Sequence, residues 1–239
     1  MAQFDTIRTA GSVRTAEIDE GLRAHMNKVY GTMSVGLLLT FAAAWAVGNN
    51  AALMQTLFTG MTRYLVMFAP LIMIFAFSAM LNRMSAAGAQ LFFYAFSAMM
   101  GVSMSYIFVV YTGISIAQTF LITSIAFAGL SLYGYTTKKD ISGWGGFLIM
   151  GVIGLVVAMI VNIWLQSPAI MFAVSAIGVL IFAGLTAYDT QKIKNDYIAH
   201  ASHGDSEWLG KAAVMGAISL YLDFINMFQF LLMFMGGRE

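Results

Sequence analysis

Residues 212–235 read AAVMGAISLYLDFINMFQFLLMFM, and this stretch decides the fold. It is long and apolar enough for a helix to cross the hydrocarbon of a bilayer, which takes about 20 such residues. One acid, Asp223, stands near its middle. A charge at that depth costs at least about 3 kcal/mol, so it marks a candidate functional residue. On a helical wheel Gly216, Ser219, Asp223 and Asn226 fall at i−7, i−4, i and i+3, one polar stripe. The stripe must face protein, so the spacing predicts a helix in the middle of a bundle.

Six further apolar runs precede it, at 29–48, 62–81, 88–110, 114–135, 147–166 and 169–188. They lack the period-two alternation of a membrane barrel. Hydrophobic residues make up 60% of the 239 residues and charged residues 10%, with a mean hydropathy of +0.80. A soluble core cannot hide so much apolar surface, so the lipid bilayer is the expected surrounding. The reading is an all-α membrane protein with seven transmembrane helices behind a polar tail, residues 1–28. A net charge of +1 provides no field for nucleic acid, and the absence of Cys removes thiol chemistry and disulfides. No cofactor motif is present, and no Ser/His/Asp arrangement at membrane depth supports an enzyme.

Lys and Arg next to the spans set orientation. Arg8, Arg14, Arg23 and Lys28 in the tail share a side with Arg83, Lys138, Lys139, Lys192, Lys194 and Lys211; only Arg63 and Arg238 fall on the other. The expectation is a cytoplasmic N-terminus and an external C-terminus. Small residues recur every fourth position in the first span (Gly36, Thr40, Ala44, Gly48) and the third (Ser97, Gly101, Ser105), as in helices that pack closely in lipid. Pro70, mid-way through the second span, removes one backbone hydrogen bond and should kink the helix.

Residues 189–211 read as the one long connection after the first span. The His200/His203 spacing in it is a weak metal signal, since zinc needs a fixed geometry that a Gly/Ser-containing loop does not promise. Asp140 reads as a solvated turn and His25 as a tail residue. Gly143-Trp144-Gly145-Gly146 reads as an interfacial anchor and flexible entry to the fifth span. Asp189 ends the sixth span and Arg83 closes the second at the same face. A partly desolvated Arg–carboxylate pair there would be charge-assisted.

Two segments carry a resemblance: Gly184–Lys194, GLTAYDTQKIK, and Ser219–Asn226, SLYLDFIN. Together they resemble the Bax inhibitor-1 family, the transmembrane Bax-inhibitor-motif proteins, over roughly residues 20–237. The resemblance implies a bacterial inner-membrane protein with seven helices, the last wrapped by the other six. It implies a pH-sensitive Ca²⁺ leak, with Asp189 and Asp223 as the proton-sensing pair on the ion pathway and as Ca²⁺ contacts. Ser219 and Asn226 would support that pair, and Arg83 would latch Asp189. Two carboxyls so placed titrate as a unit. A second class stays open, in which the chain restrains a membrane protease or other membrane partner under stress and conducts nothing. The leak reading makes Asp223 essential, whereas the regulator reading places the essential residues in 1–28 and 190–210.

Overall fold

The computed structural model describes residues 2–200 and 205–237, with side chains from residue 18 onward. It is all-helical over the described residues. In chain order α1 is Ala2–Gly48, α2 Ala51–Phe58, α3 Thr62–Met80, α4 Ala86–Met104 and α5 Ile107–Val110. They are followed by α6 Gly113–Thr136, α7 Trp144–Leu165, α8 Pro168–His200 and α9 Ser206–Met235. Seven of these stretches are long and apolar enough to cross a membrane.

Local chemistry sets the helix starts. Asn50, Ser85, Thr112 and Asp205 each accept, on the side-chain oxygen, the N–H three residues on, satisfying a donor that has no carbonyl within its helix. α7 stops where Gln166 turns left-handed, at φ 48°, and Pro168 opens α8. α3 runs on through Pro70, which is buried, and a 3-10 turn, Leu81–Arg83, extends it.

α9 is the axis. Of its most apolar 18 residues 56% are buried, against 17% for α3 and α7. It packs directly on α1, α4, α6 and α8, while α3 leans on α4 and α7 on α8 from outside. Both its ends are tied: Glu207 accepts from the Ala86 N–H at 2.6 Å, and the Thr112 N–H donates to the Gly237 carbonyl at 3.2 Å. The polar stripe is therefore not its only inward face. Leu220 and Tyr221 are buried as deeply as Asp223, because α9 has almost no outward side.

The two small-residue faces meet. α1 and α4 run parallel, with Gly36 under Phe93 and Gly48 under Phe108. A Cβ on Gly101 would stand 2.2 Å from the Thr40 carbonyl oxygen, so only glycine admits this approach. Gly134 plays the same part between α6 and α8, where a Cβ would stand 2.3 Å from the Ala187 oxygen.

Two expectations need correction. The stretch 189–211 is not a long loop: α8 continues to His200 and α9 begins at Ser206. Beyond the apolar core, α8 finds a partner in the start of α1, which is helical through the segment read as a polar tail. His25, read as a tail residue, is buried with its ring 4.9 Å from that of Tyr197. Gly21 lies directly under the Tyr197 hydroxyl. Where the two segments named by the regulatory reading meet, at Gly21 and His25 with Tyr197, they are packed helix. At the entry to α7 Gly145 packs under the Tyr188 ring, while Gly143 and Gly146 have open space around them. The turn before it is exposed as read. Asp140 accepts from the Ser142 N–H at 2.9 Å, a bond that holds its carboxyl below the usual range.

Candidate functional site

Asp189 and Asp223 sit on α8 and α9, the most closely packed pair of helices in the protein. The two run antiparallel with Gly216 against Ile193. That register sets Asp189 about 4.5 Å along the axis from the level of Asp223, three residues at the helical rise, toward the start of α9. The carboxyls are near enough for each other's charge to be felt. Asp223 is 4% exposed and Asp189 is half-buried.

Asp223 Oδ2 is buried with no hydrogen-bond partner. Polar atoms buried in proteins are nearly always paired, so an oxygen without a protein partner sets this carboxyl apart from the other buried polar groups among the described residues. The hydroxyls that flank Asp189 on α8 do not serve it. Thr186 donates to the Phe182 carbonyl at 2.8 Å and Thr190 to the Thr186 carbonyl at 2.7 Å, each within its own helix. The two residues proposed to support the pair are half-buried, and Asn226 donates back to the Leu222 carbonyl at 2.8 Å. Ser219 and Asn226 thus share the face of Asp223 without bonding to it.

Arg83 is not brought to Asp189. It lies exposed in the turn after α3, and the only ion pair among the described residues joins Lys211 to Glu207 at 3.7 Å. The cation whose charge reaches Asp189 is Lys192, in the same helix. His200 packs its ring 4.7 Å from Trp208, with Nδ1 2.9 Å from the Asp196 carbonyl, while His203 lies outside the described residues. Among the described residues no three His, Cys, Asp or Glu side chains converge on one point. A cation at this pair would meet two carboxylates and complete its shell of six to eight oxygens with water and carbonyls.

Three polar assemblies around the site escape a search confined to carboxylates. Tyr221 is fully buried one turn or less from Asp223, and its hydroxyl lies 2.6 Å from Thr40 Oγ1, which also bonds the Ser97 carbonyl at 2.9 Å. This ties α9 to α1 and α4. A second chain runs from the Tyr30 hydroxyl to Ser131 Oγ at 2.5 Å and on to Thr190 Oγ1 at 2.9 Å, ending beside Asp189. It joins α1, α6 and α8. Third, Gln191 accepts from the Ile141 N–H at 2.9 Å and donates to the Lys139 carbonyl at 2.8 Å, clamping the turn before α7 onto α8. The available signal is a hydroxyl or amide on a span at four-residue spacing, as in Thr186 and Thr190.

Comparison with known proteins adds the lineage of this arrangement. The family model described as "Inhibitor of apoptosis-promoting Bax1" matches residues 22–239. The Inner membrane protein YbhL of Escherichia coli strain K12 is 48% identical over 220 residues, covering 92% of this chain and 94% of that one. An uncharacterized protein of Caulobacter vibrioides is 47% identical over 233 residues, covering 93% and 92%. One of Rickettsia prowazekii is 42% identical over 234 residues, covering 98% and 97%.

Proposed function

The chain belongs to the Bax inhibitor-1 family, and from that premise we propose that it is a pH-sensitive Ca²⁺ leak of a bacterial inner membrane, gated by Asp189 and Asp223. The observation that carries the reading is the carboxyl pair itself. Two acids share a boundary between closely packed membrane helices, and one keeps a buried oxygen without a partner. A helix needing only a polar contact would be served by Asn, which carries no charge to bury. A carboxyl can exchange a proton and attract a hard cation. Protonation removes negative charge from the pair, so the attraction for Ca²⁺ and the hold on nearby cations change together.

The test is Ca²⁺ entry into proteoliposomes carrying a Ca²⁺-sensitive dye, followed over a series of pH values. Entry should exceed that of protein-free vesicles and vary with pH. Entry at the protein-free rate throughout the series would end the leak reading.

The latch belongs to a second state of the same device. Arg83 sits in the short connection that precedes Ala86, and Ala86 is tied to the start of α9 through Glu207. The end of α3 would have to swing inward to carry its guanidinium to α8. In that state Arg83 holds Asp189 and closes the path, so Arg83→Ala should raise the leak. A double-mutant cycle of Arg83→Ala with Asp189→Asn, read in flux, should show coupling above about 0.5 kcal/mol. Additive effects would remove the latch from the mechanism.

Orientation follows the basic residues, ten on one side and two on the other. A reporter enzyme active only outside the cytoplasm, fused after Glu239, should be active in cells. Activity confined to a cytoplasmic reporter at the same point would reverse the assignment.

A further inference from the structure

α1 and α6 both pack on α9 but scarcely on each other. Between them lies a cleft of about 760 Å³ whose floor is α9, at Phe224, Ile225 and Phe228, and whose rims include Leu38 and Phe120. Its lining is almost wholly apolar. Leu38 is 68% exposed and Phe120 43%, so the rims stand open toward the surroundings of the bundle. Phe120 and Phe127 meet Phe224 edge-on, each with ring centroids 5.5 Å apart, which gives the cleft a stiff aromatic wall. Below it, past Tyr30 and Phe127, a second hollow of about 590 Å³ continues between the same two helices. Its lining stays mostly apolar, with Met26, Phe127 and Leu132, but at this end it gains a cation, Arg23, and the polar groups of Asn27 and Ser131. Lys194 reinforces that end, donating to the Tyr135 carbonyl at 2.7 Å with its ammonium 5.4 Å from the Tyr135 ring centre.

We propose that this cleft is a binding site for one anionic phospholipid of the leaflet at the N-terminal end of α1. Its phosphate would lie at Arg23, and one acyl chain would lie along α1 against Phe224 and Phe228. Charge and length both select this occupant. From Asn27 to Leu38 the α1 axis advances about 16 Å, and the hydrocarbon of one leaflet is about 15 Å deep, half of the whole. A chain whose head sits at Arg23 therefore ends in the aromatic part of the cleft. Cations at the polar end and none along the apolar lining match the order of groups in a lipid. The Tyr30–Ser131 bond crosses the cleft between its two parts, so the chain passes Tyr30 on the open side. The site does not depend on the leak reading, since it concerns α1, α6 and the far face of α9.

The experiment uses the full chain reconstituted in vesicles of phosphatidylcholine mixed with phosphatidylglycerol, then released into mild detergent and weighed intact by native mass spectrometry. The wild type should carry one lipid per chain, enriched in phosphatidylglycerol over the vesicle composition. Arg23→Gln, at an exposed position, should lower that enrichment roughly fivefold, the weight of one basic residue at an anionic surface. Ala117→Trp, also exposed, should fill the cleft and abolish retained lipid of both kinds. Unchanged melting temperatures would show that both variants fold. The proposal is overturned if Ala117→Trp retains as much lipid as wild type, or if the retained lipid mirrors the vesicle composition. A dimer whose cleft carries no lipid would overturn it equally, assigning the surface to a second copy of the chain.

Discussion

Asp223→Asn should change the pH profile of Ca²⁺ entry markedly while leaving the protein folded. The substitution keeps size and hydrogen-bonding capacity, so α9 retains its packing against α1, α4, α6 and α8. It removes the titration and the charge together. In the leak reading Asp189 and Asp223 titrate as a pair, and losing one member removes the shared behaviour. Asp189, half-buried and under the charge of Lys192, is left to titrate alone. The measurement is the flux assay run for wild type and variant side by side, with melting temperature as the control for folding. A variant that conducts with the wild-type pH profile would return Asp223 to the role of a polar contact between helices. If instead the wild type showed no flux, the failure would lie with the leak and not with the assignment of Asp223 within it.

The other large effect is expected at Gly134. A Cβ there would overlap the backbone oxygen of Ala187, and a backbone cannot rotate aside as a side chain can. Gly134→Leu should separate α6 from α8, break the Ser131–Thr190 bond one turn away and displace Asp189, two residues beyond Ala187. A destabilisation of more than about 3 kcal/mol is expected, the upper range for overpacking, with loss of folded protein in detergent. Gly129→Leu on the same helix is the control, because nothing lies within 4 Å of the added Cβ. It should melt with the wild type. Equal melting of Gly134→Leu and wild type would mean that α6 and α8 are not held at this spacing.

How much of this was legible beforehand differs between the fold and the site. Seven spans, the central place of the last one and the small-residue faces of the first and third spans all come from counting along the chain. Each rests on a local rule: the length of hydrocarbon to be crossed, the expense of a lone carboxyl in it, and the four-residue repeat that lines up small side chains. Asp223 announces itself the same way, because any membrane helix carrying it must bury it. Asp189 is weaker on those grounds, lying at the edge of its apolar run: its position offers it as a partner for Arg83, and only the resemblance makes it half of a proton-sensing pair.

Contacts between distant segments obey no such local rule. The polar residues after Asp189 resemble a loop when read one at a time, yet α8 continues to His200 because the start of α1 supplies Tyr197 with His25 and Gly21 as neighbours. Shared side and depth make Arg83 and Asp189 plausible partners, but the end of α3 stands outside the ring of helices that touch α9. The hydroxyl chains through Thr40 and Ser131 and the open cleft between α1 and α6 belong to this second kind. Composition and spacing decide which residues must leave water and how long each helix must be. Which helix faces meet, and where two neighbours fail to close, is decided by packing side chains of particular shape around α9, and that information is spread over segments up to 181 residues apart, as from Thr40 to Tyr221.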